Sequence, residues 1–460
     1  MTKAVKQPAW LKAALEYMPQ WLEYQLETSQ RPGCAFAVTH QGEVALAHCL
    51  GFADQTIGAK LRPSHRFRAA SHSKSFTATG LLKLREQGRL RLDDPVGNHV
   101  GGLAKGVACL TLEQLLSHSA GLSRDGDDAG QWIDRRPFLD EADLRQALND
   151  GLMIEPSTRF KYSNLAFGLL GLVIEEITGE SYTTWIRREV VEASGLARTR
   201  PDTPLPKGTP LASGHSRLHP LGQRVAIAGD NPTHALASAT GFVSTPSDLA
   251  RFYTSLDPSS RASVLSAASR RDMARVQWRD SHAAAPISYG LGVMAGAIGG
   301  WNWFGHGGAF QSASSQTMAL PGHDLALSVV VNAVDGNAFD LAAGLVHILR
   351  GFAERGAPTA RTRAWTGRWW SLWDTVDLLP VADHVVVASP GQLDPFDHPG
   401  EIAVTGRDKG KLRLAGGFDA HGEETRLIRS PRGRLTGIQI GGSRYDTRAQ
   451  HLAELRRRQG

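Results

Sequence analysis

Ser71-His72-Ser73-Lys74-Ser75-Phe76-Thr77-Ala78-Thr79-Gly80 runs without a break into Leu81-Leu82-Lys83-Leu84-Arg85. Hydroxyl residues ahead of a periodic apolar run signal a helix start, and here the amphipathic pattern ends at Gly88. A helix beginning at this point places Ser71 and Lys74 three residues apart on one face, where side chains are neighbours. The pairing has chemical sense. A serine hydroxyl is a poor nucleophile until a base within hydrogen-bond reach takes its proton, and a lysine whose pKa is lowered by burial can be that base. The helix start also offers unpaired backbone N–H groups that favour developing negative charge. An N-cap serine beside a solvated lysine is the bland alternative. No other Ser-x-x-Lys occurs in the chain.

Around this stretch the chain divides by texture. Pro8 to Gln30 reads as an amphipathic helix, with Leu11, Leu15, Met18 and Leu22 at helical spacing. Gly33 to Thr39 and Glu43 to Ala47 flank Gln41-Gly42, a β-hairpin signature. If that turn has two residues, Cys34 and Cys49 face each other on adjacent strands. From about 110 to 200 the pattern is helical, opening on a capping box at Thr111-Leu112-Glu113-Gln114. A Pro- and Gly-rich stretch from Pro201 to Pro232 reads as long surface loops. Strand texture returns from Tyr289 to Val334, with Ala309 to Leu320 and the buried run Leu325 to Val331, and Phe339 to Arg355 reads as a closing helix. A hairpin near the start and strands near the end suggest one sheet shared by both ends, with a helical block of about 90–235 inserted. After the linker-like 356–364 come Trp365, Trp369, Trp370 and Trp373, then short alternating segments between Gly, Asp and Pro turns. These indicate a small antiparallel barrel or sandwich, with the tryptophans in its core.

With 460 residues, two or three compact units are expected. The content of 41 % hydrophobic and 21 % charged residues is that of a globular chain, and a net charge of +6 is modest for this length. No Lys/Arg cluster interleaves with aromatics, which argues against nucleic-acid binding. Three cysteines (Cys34, Cys49 and Cys109) make neither a metal set nor a disulfide framework, and reduced, packed thiols are expected. Met1 to Lys6 is basic but no apolar segment follows it, and no stretch is long enough to span a bilayer. The expectation is a cytoplasmic protein that needs no cofactor or metal and acts on a small molecule.

Serine–lysine chemistry needs a second proton handler, an oxyanion hole and a substrate-aligning wall. Lys161-Tyr162-Ser163-Asn164 opens a strong helix, where Tyr162 and Asn164 can point the same way; read blandly, one residue caps and the other packs. Gly305-His306-Gly307-Gly308-Ala309 stands just before the expected strand, and its glycines let a backbone approach a ligand closely. A Gly-rich turn with a surface histidine is the plain alternative.

Taken in this order, the three segments resemble the serine β-lactamase and penicillin-binding-protein superfamily over residues 8–355. The chain looks closest to the class C-like branch of esterases, D-aminopeptidases and amide hydrolases. Ser71-His72-Ser73-Lys74 matches Ser-x-x-Lys, Tyr162-Ser163-Asn164 matches Tyr-x-Asn, and His306-Gly307-Gly308 stands where Lys-Thr-Gly or His-x-Gly belongs. Leu115 to Leu122 and Ala239 to Thr245 agree as well. The resemblance implies an α+β fold: a β-lactamase-like mixed α/β sheet domain over 1–355 with a helical insertion, and a lipocalin-like β-barrel over 365–460. It makes Ser71 the nucleophile, Lys74 its base and Tyr162 a proton shuttle. Asn164 binds the substrate's acyl-side amide, while the N–H groups of Ser71 and Ala309 form the oxyanion hole beside His306, Gly307 and Gly308.

A histidine in the third segment is mostly neutral near pH 7. It suits a carboxylate less well than lysine does, and so favours small amides, esters or peptides read from the amino end. Asp125, Asp127 and Asp128 are candidates to read an amine. The implied activity is hydrolysis of a small amide or peptide, one containing a D-residue, through an acyl-Ser71. A carboxylesterase, a peptide cyclase or transpeptidase, and a penicillin sensor without turnover remain alternatives at this point.

Overall fold

The structure, a computed structural model, describes residues 7–282 and 286–459. The basic start at Met1–Lys6 lies outside the described residues. Contacts divide the chain into two compact units. One is Gln30–Ala342; the other combines the described residues up to Ser29 with Ala343 onward. The sequence places its boundary at 355–356 instead.

In the first unit, nine strands form one antiparallel sheet: β1 (Gly33–His40), β2 (Glu43–Asp54), β3 (Ala59–Lys60), β4 (Trp278–Asp280), β5 (Ile287–Tyr289), β6 (Met294–Ile298), β7 (Trp301–Phe310), β8 (Ala313–Leu320) and β9 (Leu325–Val331). Their order is β3-β2-β1-β9-β8-β7-β6-β5-β4. The one crossover pairs β1 with β9, so early and late segments share the sheet, as the hydrophobic pattern suggests. Both strands are buried throughout, and the Pro246–Leu256 helix, N-capped by Thr245, packs across β1, β8 and β9. The hairpin turn has Gln41 at φ 52° and Gly42 at φ 84°, the left-handed pair that a two-residue turn matching strand twist requires.

The cysteine expectation needs correcting. A bulge between Val38 and Thr39 moves the register by one residue, so Cys34 faces Leu50 and Ala35 faces Cys49. Both thiols are free. The glycine-rich segment also differs from its reading, because 305–309 lies inside β7 rather than before a strand. Its glycines leave room for close backbone packing.

The Ser71 region forms a 3₁₀ turn, Ala70–His72, that continues as the helix Ser73–Glu86. This helix is buried on nearly every side from Ser73 to Leu82 rather than amphipathic. Its short hydroxyls make that possible by finding partners on neighbouring segments: Ser75 donates to Gly292 O, and Thr77 to Ser238 O. Phe76 stacks between Phe242 and Phe252, with centroids at 4.3 and 3.8 Å. Between this helix and the Val243–Ser244 strand the chain is mainly helical, with the Thr111 capping box present and Asn164–Thr178 as the longest helix. The 201–232 stretch is mostly loop, carrying one two-residue ladder between Gly214–His215 and Ala226–Ile227.

In the second unit, eight strands from Gly367–Trp370 to Ser443–Asp446 form a closed barrel, each pairing with the next and the first with the last through Trp370 and Asp446. Trp365 and Trp369 fill its core, whereas Trp373 is 92 % exposed on a turn. The Ala9–Thr28 helix is fastened to this barrel. Tyr17 donates to Asp377 Oδ2 at 2.8 Å, Trp21 to Gln392 O at 3.1 Å and Gln25 to Pro390 O at 2.7 Å. Among the described residues no helix is long and apolar enough to cross a membrane.

Candidate active site

Ser71 follows Ala70, whose φ of 51° is left-handed. A non-glycine residue held there stores strain of about 1–3 kcal/mol, and it sits directly beside the serine. Ser71 keeps partial exposure while Lys74, one turn on, has none. Lys74 Nζ lies 3.2 Å from Ser71 Oγ, 2.7 Å from Asn164 Oδ1 and 2.8 Å from Ala239 O. Burial holds its pKa well below the usual lysine value, opposed in part by the Asp125 charge and aided by that of Arg124. A neutral amine has two N–H groups and a lone pair. In that form, with the N–H groups on the two carbonyl oxygens, the lone pair faces the Ser71 proton. Tyr162 OH donates to Ser71 Oγ at 2.8 Å, and burial pushes its pKa upward, so it remains a phenol and a proton donor.

A neighbouring segment holds Tyr162 and Asn164 in place. The N–H groups of Lys161 and Asn164 donate to His118 O and Arg124 O, each at 2.8 Å. Ser163 N–H donates to His118 Nδ1 at 3.1 Å, and Ser163 Oγ donates to Ser123 O at 2.7 Å while capping the following helix at Ala166. Asn164 Nδ2 donates to Asp125 Oδ1 at 2.6 Å. The His118 ring, fully buried, lies 4.2 Å from the Tyr162 ring centre.

On the opposite side, β7 brings His306, Gly307, Gly308 and Ala309 to the Ser71 turn. A Cβ on Gly308 would meet Ala69 O at 2.3 Å, so only a bare backbone fits there. His306 is buried rather than on the surface. Its Nδ1 is 2.6 Å from Gly307 O and its Nε2 3.0 Å from Tyr289 OH. Nδ1 is therefore the donor and Nε2 the acceptor; burial holds the ring well below the usual histidine pKa, with the neighbouring His72 acting in the same sense. His72 locks the turn to the sheet, with Nδ1 at 2.8 Å from Ala69 O and Nε2 at 2.9 Å from Thr317 Oγ1 on β8.

Asp125 departs from the amine-reading expectation. Asp125 is spent within the protein: Oδ1 accepts from Asn164 and from Trp132 Nε1, and Oδ2 accepts from Arg124. Asp128 caps Gly130, and Asp127 is exposed. Tyr289, His118 and Arg124 join the site without having been singled out. His118 had a signal, its place in the Leu115–Leu122 segment; Tyr289 had none, because only the sheet brings it to His306. A cavity of about 630 Å³ lined by Thr183, Arg187, Arg200 and Pro204 holds none of these groups. Among the described residues no cluster of His, Cys, Asp or Glu is placed to hold a metal ion.

The family model described as Beta-lactamase matches residues 18–350. Protein flp of Staphylococcus aureus is 31 % identical over 182 residues, which are 39 % of this chain and 36 % of that protein. The chain thus spans little more than a third of the length of that relative. Among solved structures, the octameric penicillin-binding protein homologue from Pyrococcus abyssi superposes with a TM-score of 0.65 at 20 % identity, covering 94 % of this chain and 99 % of that one. The D-amino acid amidase from Ochrobactrum anthropi SV3 in complex with D-phenylalanine gives 0.63 at 21 %, covering 75 % and 98 %. At these identities the likeness is one of fold.

Proposed function

The chain belongs to the beta-lactamase family, and on that premise we propose that it is a serine hydrolase that cleaves a small amide or peptide, one containing a D-residue, through an acyl-Ser71 intermediate. One observation carries the reading: Ser71 Oγ is touched at once by the buried Lys74 amine and by a phenol that donates to it. Lys74 takes the Ser71 proton as Oγ bonds to the carbonyl carbon. The resulting oxyanion is met by the backbone N–H groups of Ser71 and Ala309, and Gly308 lets β7 come close enough. Tyr162 gives its proton to the leaving nitrogen as the C–N bond breaks, and Lys74 returns a proton to Tyr162. Water then attacks the acyl-serine, and the same groups release the acid. Asn164 positions Lys74 through Oδ1; its second Nδ2 hydrogen is left for the substrate's acyl-side amide.

The D-residue preference is supported by the shared fold of an enzyme named D-amino acid amidase, whose solved complexes hold D-phenylalanine, L-phenylalanine and L-phenylalanine amide. We place the catalytic domain at 1–355 with the barrel at 365–460 as an appended module, and the protein in the cytoplasm. The test is turnover of D- and L-aminoacyl p-nitroanilides beside p-nitrophenyl esters, with Ser71→Ala as the control. Faster cleavage of the D-anilides, lost in Ser71→Ala, is the expected result. Ester cleavage alone would replace the amidase with a carboxylesterase.

A further inference from the structure

Away from Ser71, the first unit gathers arginines that it does not neutralise. The cavity of about 630 Å³ has Thr183 and Arg187 on one wall, from the short helix Tyr182–Ile186 and the turn that continues it, and Arg200 to Pro206 on another. Arg200 Nη1 donates to Thr199 O at 2.7 Å and to Ala197 O at 3.3 Å. Arg66 and Arg198 stand close by. Arg66 Nε donates to Arg198 O at 2.8 Å, and Arg198 Nη1 to Pro63 O at 2.9 Å. Each of the three thus gives a donor to a backbone carbonyl, and among the described residues none of them forms an ion pair. Arg66 registers the crowding: its pKa is held below the usual arginine value, by burial first and then by the charges of Arg200 and Arg198.

The carboxylates of the neighbourhood are engaged elsewhere. Asp248 acts on Arg66, but its Oδ2 accepts from Arg198 N–H at 2.8 Å and from Thr199 Oγ1 at 3.0 Å. Asp202 accepts from Arg68 and Thr203 N–H through Oδ1, and from the N–H groups of Thr233 and His234 through Oδ2. Glu192 pairs with Arg187, while Arg188 pairs with Glu180 and Glu189. The positive charge of Arg66, Arg198 and Arg200 is left without a counter-ion.

Like charges held close together cost free energy until an anion joins them. The carbonyl bonds fix the guanidinium planes beforehand, so little side-chain freedom is lost when one arrives. The remaining N–H groups form forks that match phosphate oxygens. Three cations call for more than one phosphate.

We propose that this cavity is a second ligand site, separate from Ser71, that binds a molecule carrying two or more phosphate groups through Arg200 on its wall, with Arg66 and Arg198 beside it. A soluble polyphosphate and a phospholipid headgroup offer the same chemistry. The site stands whether or not the acyl-Ser71 reading does.

The experiment is calorimetric titration of the full chain with inorganic tripolyphosphate and with orthophosphate, beside co-sedimentation with phosphatidylcholine vesicles with and without cardiolipin. Tripolyphosphate is expected to bind about tenfold more tightly than orthophosphate, and Arg200→Gln and Arg66→Gln are each expected to weaken it about tenfold, as loss of one charge-assisted bond does. Arg200→Lys should retain part of the affinity. Arg188→Gln, which removes the same charge from an arginine already paired at this cavity, should leave it unchanged. Tripolyphosphate binding without sedimentation would support a soluble ligand; cardiolipin-dependent sedimentation that tripolyphosphate reverses would support a headgroup. Binding of neither, equal affinity for the two phosphates, or equal loss in Arg188→Gln and Arg200→Gln would overturn the proposal. So would loss of binding after Ser71 is blocked with a fluorophosphonate, which would put the anion in the catalytic cleft.

Discussion

At the scale of single residues, the division of labour between Lys74 and Tyr162 follows from one physical cause acting on two kinds of group. Burial disfavours charge, so it lowers the amine and raises the phenol. Lys74 is thereby a base and Tyr162 an acid. Lys74→Met and Tyr162→Phe should each lower kcat/KM by about two to four powers of ten, measured on the best anilide. The pH profile follows in sign: kcat/KM rises as pH climbs through the depressed Lys74 pKa, below the ordinary lysine range, and declines only above the ordinary tyrosine range.

His72 gives a stability prediction at the same scale. Its pKa is pushed down to about 4 by burial, from an ordinary 6.5. Between those values the unfolded chain takes up a proton that the folded one refuses, so stability falls as pH drops from 6.5 towards 4, by up to about 3 kcal/mol for this residue. His118 and His306 act in the same sense. Thermal unfolding across that window should show a shallower decline for His72→Asn than for the wild type.

At the scale of elements, much of the site was legible because its chemistry is local. Ser71 and Lys74 are three apart on a helix, and the hydroxyls ahead of the apolar run announce where it begins. Gln41-Gly42 announced its hairpin, but the bulge at Val38–Thr39 did not show. A bulge is an outcome of pairing, and it moved Cys34 away from Cys49. The sequence offered His306 as a site residue but left a surface histidine open, because nothing in the glycine-rich segment reveals that β5 will set Tyr289 against it. The 118–125 segment was visible as a pattern, yet its work, holding Lys161 to Asn164, exists only in three dimensions. Ser163→Ala removes both the helix N-cap and the bond to Ser123 O. It should cost about 1 kcal/mol in a denaturant titration, and it should lower kcat more than KM if the segment positions Tyr162.

At the scale of the whole molecule, the sequence shows a composition shift after residue 355, whereas contacts draw the Ala9–Thr28 helix into the barrel's unit. No local signal carries that docking. It depends on Tyr17 meeting Asp377 from 360 residues away, where Arg368 also pairs with the same carboxylate at 2.7 Å. Tyr17→Phe should destabilise the protein by about 1 kcal/mol through the lost bond. Trp365→Ala should cost about 3–5 kcal/mol, as for other large core truncations. Urea midpoints of the full chain measure both.

The central claim is that Lys74 arms Ser71 for covalent chemistry, and intact-protein mass after brief exposure to a fluorophosphonate tests it most directly. The account predicts a single adduct that peptide mapping places on Ser71, absent in Ser71→Ala and formed far more slowly in Lys74→Met. An adduct elsewhere, or labelling of Ser71 at the same rate without Lys74, would contradict it.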